Sequence, residues 1–300
     1  MKSGFIAVIG RPNVGKSSLI NAMVGEKVSI VSPKPQTTRD RAFGILTTPE
    51  YQMIFIDTPG VHTPRSMLGK YMVKAASASV SDADAVVVVL DAAKLPLEPD
   101  FELIEKTLAR ARTPVYIAVN KTDLAGYDRV YPILAKLAPF LADGENRLAA
   151  KEIIPVSCKT GENIEVLKQY LAAELPEGEL YFPKDEFTNK SERYQICEII
   201  REKALLCLRD EIPHGVGVYI QSMTDGERLV EIEADIICEK DSHKLIIIGK
   251  GGEQLKQIGE KSRFDIEKLL GKKVFLKLFV KVRKDWRNRK NIMEDIGYHS

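Results

Sequence analysis

"FIAVIGRPNVGKSSLINAMV", residues 5–24, decides the fold of the first part of the chain. An apolar run (5–9), a turn and a helical pattern (16–24) follow one another without a break. The turn, "GRPNVGKS" (10–17), matches GxxxxGK[ST], a spacing that carries meaning between a strand and a helix. Gly10 and Gly15 let the backbone curl until its N–H groups face phosphate oxygens, and the helix adds the positive end of its dipole. Arg11, Pro12, Asn13, Val14 and Ser18 fill out the cradle. Lys16 is placed to reach β- and γ-phosphates, and the Ser17 hydroxyl to ligate Mg2+.

Outward from this unit the pattern repeats. Apolar runs at 51–56, 85–90, 115–119 and 152–156 read as further strands, with helix-like stretches at 66–80, 101–111, 128–141 and 163–174 between them. Runs that are apolar throughout suit a sheet covered on both faces, so a doubly wound α/β domain is predicted over 1–176.

Three further motifs end strands, where open α/β sheets bind ligands. "DTPG" brings Asp57, Thr58, Pro59 and Gly60: the carboxylate can hold a magnesium shell through water, and the Gly60 N–H can turn onto the γ-phosphate. "NKTD" brings Asn120, Lys121 and Asp123, whose two acceptors match the adjacent N–H donors of guanine. Adenine would set a lone pair against that carboxylate. "SCK" brings Ser157, Cys158 and Lys159 to the end of the last strand. Each motif is weak alone; four in order, each at a strand end, point to a guanine nucleotide.

The second part is built differently. Residues 177–190 cluster Pro, Gly and charge and read as a linker; 191–300 then run α-β-β-α-α-β, with a long helix over 191–212, strands at 216–223 and 229–238, and a last helix (253–270) and strand (274–282). Between its second and third helices lies "GKGG": Gly249, Lys250, Gly251 and Gly252. Its spacing is not that of the first loop. GxxG between helices clamps the backbone of single-stranded nucleotides, with glycines for close approach and lysine for charge. Ile246 and Ile247 are the candidates for an apolar surface under the bases. Leu255, Ile258, Ile266 and Leu269 form the expected buried stripe of the next helix.

The charge is unevenly placed. Net charge is only +2, yet residues 241–300 carry 15 Lys+Arg against 8 Asp+Glu, leaving 29 against 34 upstream. Lys273, Lys277, Lys281 and Arg283 largely share a parity and read as a basic side of the last strand. Trp286, in the basic tail, is either a stacking platform or a packed residue. The four cysteines, Cys158, Cys197, Cys207 and Cys238, show no CxxC or metal-ligand spacing, which speaks for reduced thiols and against structural zinc. No apolar run approaches the length of a membrane span, and the first residues do not read as a signal peptide.

With these motifs in hand, the whole chain resembles the Era family of bacterial ribosome-assembly GTPases. The resemblance is carried by "GRPNVGKSSLINAMVG", "PQTTRDR", "DTPGVH", "NKTDL", "EIIREK", "EIPHGVGV" and "IIGKGG". It implies a P-loop GTPase domain followed by a type II KH domain, GTP hydrolysis to GDP, Mg2+, and binding of 16S-type small-subunit ribosomal RNA near its 3′ end during 30S assembly. It further implies a monomer, a cytoplasmic location and an optional peripheral inner-membrane association. The first switch would span 33–45, with Gln36, Thr37, Thr38 and Arg39 at its centre and Thr38 preferred over Thr37 as the magnesium ligand; the second would span 57–75, opened by Asp57 to Val61; and the Cys158 N–H would meet the guanine carbonyl.

Val61 stands where many small GTPases place a water-orienting glutamine. That leaves either a slow enzyme or charge stabilisation from elsewhere. Asn13 resembles the asparagine that helps bind K+ in cation-dependent relatives; it reads equally as a turn residue. Two competing functions stay open from the sequence: an RNA-binding assembly protein with negligible hydrolysis, and a membrane-associated signalling GTPase.

Overall fold

The computed structural model describes residues 1–34, 37–60, 66–72, 83–94, 98–141, 149–208 and 212–296. Gln36 and Val61 lie outside the described residues, as does most of the helix expected over 66–80. The chain divides into two compact units: Met1–Val31, Thr38–Thr63 and Met72–Asn189; and Ser32–Thr37, Pro64–Tyr71 and Lys190–Ser300.

In the first unit, β1 (Lys2–Gly10), β3 (Tyr51–Asp57), β4 (Ala85–Asp91), β5 (Val115–Asn120) and β6 (Glu152–Val156) lie parallel, in the order β3-β1-β4-β5-β6. Helices α1 (Lys16–Val24), α2 (Glu98–Arg110) and α3 (Tyr127–Leu137) lie between strands, and α4 (Ile164–Glu174) follows β6. The period-2 geometry of a strand sends alternate side chains to opposite faces. Ile6, Val8, Val87 and Val89 enter one core with Leu19, Leu167 and Leu171, while Ala7, Ile9, Val86 and Val88 enter the other with Ile104, Val130 and Ile133. That double burial is why these runs are apolar throughout. A fully buried Val or Ile contributes about 1.5–3 kcal/mol.

Two elements differ from the sequence-based expectation. Residues 42–47, assigned in part to a switch, form an edge strand, β2 (Ala42–Thr47), antiparallel to β3. Its mixed pattern hides it: only one face meets α1, and Gly44 sits where a Cβ would lie 2.6 Å from Ile20. The helix expected over 128–141 ends at Leu137, and a 3-10 turn, Ala138–Phe140, carries Pro139, whose ring and missing N–H oppose continuation.

The segment read as a linker is fastened to the first unit. Ile45 N donates to Phe187 O (2.8 Å), Phe43 N to Asn189 Oδ1 (2.9 Å) and Gln52 Nε2 to Phe182 O (2.9 Å). The Tyr181 ring meets Phe5 edge-on at 4.9 Å. The strap thereby occupies backbone groups of an otherwise open sheet edge.

The second unit follows the expected order. Helix α5 (Glu192–Cys207) is capped by Ser191, which accepts from Tyr194 N. Then come β7 (Gly217–Asp225), β8 (Leu229–Cys238), α6 (Asp241–Ile248), α7 (Glu253–Leu270), β9 (Lys273–Val282) and a short α8 (Lys290–Asp295). Strand β7 pairs antiparallel and β9 parallel with the central β8. Ile258 and Ile266 of α7 are fully buried against this sheet, with Leu255 and Leu269 partly so.

Candidate functional site

The loop between β1 and α1 is held by residues from the end of β5. Asn120 Nδ2 donates to Val14 O (3.0 Å), and Lys121 Nζ donates to Asn13 O (2.7 Å). Lys121 also pairs with Asp91 at 2.7 Å. Asp91, at the end of β4, is a support that motif matching did not single out; its place at a strand end beside "NKTD" is the signal that could have found it. Gly15 has φ 102°, and a Cβ there would lie 2.2 Å from Asn120 Nδ2, so no side chain fits. Asn13 has φ 66°, a left-handed conformation that Asn tolerates in turns. Arg11 pairs with Asp100 at 3.0 Å, directing its guanidinium to α2.

Lys16 is buried, and its ammonium donates to Arg11 O at 3.0 Å. Burial lowers its pKa to about 8, with the charge of Asp57 acting in the opposite direction. Asp57 is also fully buried, and burial raises its pKa, opposed first by Lys16. Around Asp57 the oxygens converge. Its Oδ2 lies 2.8 Å from Ser17 Oγ, which lies 2.9 Å from Thr38 Oγ1. Its Oδ1 is buried with no hydrogen bond. A cluster of hard oxygens with one unsatisfied carboxylate lone pair fits Mg2+. Thr38 rather than Thr37 brings its hydroxyl here; Thr37 Oγ1 donates to Lys34 O at 2.6 Å. Thr58 Oγ1 donates to Val8 O (2.7 Å), Gly60 lies against Pro12, and Arg39 is buried.

After β6, Ser157 Oγ donates to Asp123 Oδ1 at 2.8 Å, and Lys159 Nζ stands 3.9 Å from Asp123 Oδ2. The Cys158 N–H, expected to face a guanine carbonyl, donates to Asn120 Oδ1 at 3.2 Å. Burial pushes the Cys158 thiol up to about 12, which leaves it an inert small side chain.

In the second unit, Gly249, Gly251 and Gly252 all have positive φ, at 75°, 62° and 83°. A Cβ on Gly249 would lie 2.9 Å from Gln254 N, so the tight entry into α7 requires glycine. Beside the loop runs a groove of about 440 Å3, lined by Gly252, Leu255, Lys256, Arg263, Phe275 and Leu276 among others. Lys256, Arg263 and Phe275 were not singled out in the sequence. Helical spacing of Lys256 and Arg263 after the loop could have suggested them, since residues seven apart share a helix face.

Ile247 is a correction. It is 0% exposed and belongs to the core, whereas Leu245 and Ile246 are 72% and 51% exposed. The helix period decides this: Ile247 faces the sheet, so it cannot lie under bases. Trp286 is also fully buried, with Nε1 donating to Gly215 O at 2.9 Å, which selects packing over stacking. On β9, Lys273, Lys277 and Lys281 do share an exposed face. Yet they pair with Glu267 (3.3 Å), Glu233 (3.0 Å) and Asp235 (2.8 Å), so the strand is an ion-pair ladder rather than a bare positive stripe.

Family models and relatives account for this arrangement. A 50S ribosome-binding GTPase model matches residues 5–121, and a KH domain model matches residues 211–287. GTPase Era of Clostridium botulinum (strain Eklund 17B / Type B) is 46% identical over 304 residues, covering 99% of this chain and 98% of that one. The chain belongs to the Era family of GTPases.

GTPase Era of Clostridium beijerinckii is 47% identical, covering 99% of this chain and 97% of its own. A crystal structure of Era in complex with MgGDPNP and nucleotides 1506–1542 of 16S ribosomal RNA superposes with a TM-score of 0.93, at 37% identity and full coverage of both chains. A point variant of Aquifex aeolicus Era bound to GDP and AlF4− matches equally well, with TM-score 0.93 and 37% identity. The Era architecture, a P-loop GTPase domain and a C-terminal KH domain, is thus that of this chain. Among the described residues, no helix is long and apolar enough to cross a membrane.

Proposed function

We propose that the chain is a GTP-hydrolysing switch that binds small-subunit ribosomal RNA near its 3′ end through the KH domain and acts in 30S assembly. The observation that carries this reading is one chain holding both sites. The Ser17–Thr38–Asp57 oxygen cluster stands beside the Lys16 loop, and a separate glycine-lined groove carries Lys256 and Arg263. The relative solved with MgGDPNP and 16S nucleotides supports the pairing of the two ligands.

In the reaction, water attacks the γ-phosphate of GTP, and GDP and phosphate leave. Loop N–H groups and Lys16 stabilise the phosphate charge, and Asp123 with Ser157 selects the base. Ser17, Thr38 and, through water, Asp57 would hold Mg2+, which supplies charge neutralisation at the phosphates. Val61 gives no hydrogen bond to orient water, so the intrinsic rate is slow. The potassium role of Asn13 rests on family resemblance. Turnover faster in K+ than in Na+ at equal ionic strength supports it, and equal rates leave Asn13 the turn residue its φ describes.

The test is phosphate release from GTP, with ATP as specificity control and Lys16→Ala as background. It is run with and without an RNA fragment from the 3′ end of the small-subunit RNA. Release no greater than the Lys16→Ala background assigns GTP a structural role instead. Liposome binding that survives Lys250→Asp and Gly252→Asp, while RNA crosslinking collapses, separates a peripheral membrane role from the RNA role.

A further inference from the structure

One carboxylate outside the four nucleotide motifs ties two of them together. The loop after β6 closes on itself: Ser157 N donates to Glu162 O at 3.1 Å, and Gly161 N donates to Ser157 O at 2.9 Å. Its exit is fixed by Asn163, in the left-handed region at φ 55°, whose Nδ2 donates to Pro155 O at 2.8 Å. From this loop the Glu162 side chain reaches across to the "NKTD" turn. Its Oε2 accepts from Thr122 Oγ1 at 2.6 Å, and its Oε1 accepts from the Tyr127 hydroxyl at the start of α3. Thr122 is the residue directly before Asp123.

We propose that Glu162 is a positioning residue for guanine selectivity, clamping the Ser157 loop onto the turn that carries Asp123. The proposal rests on the reading of Asp123 as the group that recognises guanine. Selectivity by a carboxylate depends on angle as well as charge, because both acceptors must meet adjacent donors on the base. Asp123 gets its orientation from Ser157 Oγ, which belongs to the other loop. Any slip between loop and turn therefore rotates the carboxylate out of register. Glu162 opposes that slip with two hydrogen bonds to an ionised acceptor, the stronger kind. The Thr122 hydroxyl first, and then the Tyr127 hydroxyl, hold its carboxyl below the usual carboxylate range, so both bonds persist at neutral pH. Thr122 Oγ1 also lies 3.2 Å from Val156 O, so losing Glu162 loosens the turn without stripping it of every tie.

The clamp lies at the base end of the nucleotide, away from the Lys16 and Ser17 side chains. A loss there falls on affinity shared by ground and transition states, raising KM and leaving kcat. It also falls on selectivity. Inosine diphosphate lacks the exocyclic amine that pairs with one Asp123 oxygen, so it already forgoes part of what the clamp preserves.

The experiment is competition of GDP and inosine diphosphate against a fluorescent GDP on the full chain, with GTP turnover in parallel. Glu162→Ala removes both bonds, and since only part of that loss is felt at Asp123 it is expected to weaken GDP about tenfold. It is expected to weaken inosine diphosphate less, so that the affinity ratio contracts, with KM raised and kcat held. Glu162→Gln keeps an acceptor for Thr122 and restores most of the ratio. Tyr127→Phe removes the outer bond alone, gives an intermediate ratio, and serves as the readout if Glu162→Ala fails to fold. An unchanged ratio in folded Glu162→Ala, or in Tyr127→Phe when Glu162→Ala does not fold, overturns the proposal. Asp123→Asn tests the underlying reading separately: it should shift preference from GDP to xanthosine diphosphate. Failure of that shift sinks the role of Asp123, whatever the Glu162 variants do.

Discussion

The Ser17 hydroxyl donates to Asp57 Oδ2 at 2.8 Å, and Asp57 is fully buried with its second oxygen unsatisfied. A buried carboxylate with one oxygen unpaired is costly away from water, even with Lys16 and Ser17 beside it. A divalent cation relieves it, which links nucleotide affinity to magnesium. GDP affinity, measured by fluorescence with Mg2+ and with EDTA, is expected to fall at least about tenfold on metal removal. In Ser17→Ala that difference should nearly vanish, because the variant has lost a ligand. A Ser17→Ala protein that still responds fully to EDTA would assign the cation elsewhere.

Adjacent isoleucines should behave oppositely. Ile247 is enclosed by the second core while Ile246 is half exposed. Ile247→Ala is expected to destabilise the second unit by about 2–5 kcal/mol, from lost transfer energy and the cavity left behind. Ile246→Ala should stay within about 0.5 kcal/mol in urea unfolding, yet weaken RNA crosslinking. Equal losses of stability would contradict the helix phase.

This pair also marks how far the sequence could be read. The nucleotide loops were legible because their chemistry demands fixed residues at fixed spacing between a strand and a helix. The structure brings Ser17, Thr38 and Asp57 together and sets the Ser157 hydroxyl on Asp123, as the motif spacing suggests. The facing of Ile246 and Ile247 was not legible. Four consecutive apolar residues, "LIII" (245–248), carry no periodicity, and only packing against the sheet sets their phase. The edge strand β2 was hidden for a related reason, since Gly44 interrupts its short apolar run. Asp91 and Glu162 were missed because their partners are distant in sequence: Lys121 is 30 residues from Asp91, and Thr122 is 40 residues from Glu162. The basic parity of β9 holds for Lys273, Lys277 and Lys281, while Arg283 lies one residue past the end of the strand. The carboxylates opposite these lysines come from α7 and β8, and no single-strand pattern reveals them.

Those carboxylates change what the strand lysines should contribute. A lysine already paired releases fewer counterions from RNA than a free one. Lys277→Ala is therefore expected to leave the salt dependence of RNA binding nearly unchanged, because Lys277 pairs with Glu233 at 3.0 Å. Lys250→Ala should weaken binding and lower the magnitude of the logarithmic salt slope by about 1. Filter binding across a salt series distinguishes them. Equal slope changes would mean that the ladder opens when RNA arrives.

Trp286 offers a test of the second unit with no label. It is the chain's single tryptophan, fully buried, and its indole N–H donates to Gly215 O at 2.9 Å. A buried indole emits to the blue of a hydrated one, so native fluorescence should shift red when this unit unfolds. Its edge also lies 3.4 Å from where a Cβ on Gly217 would sit, so the ring fills the space at the start of β7. Trp286→Ala would vacate that space and orphan a buried carbonyl. The expected loss is about 3–5 kcal/mol, at the upper range for core truncations. RNA should leave the emission of the native protein nearly unchanged, because no base can reach the ring. Strong quenching by RNA in the folded protein would mean that the indole leaves its pocket to stack, and that the basic tail, rather than the groove beside Gly252, carries an aromatic contact.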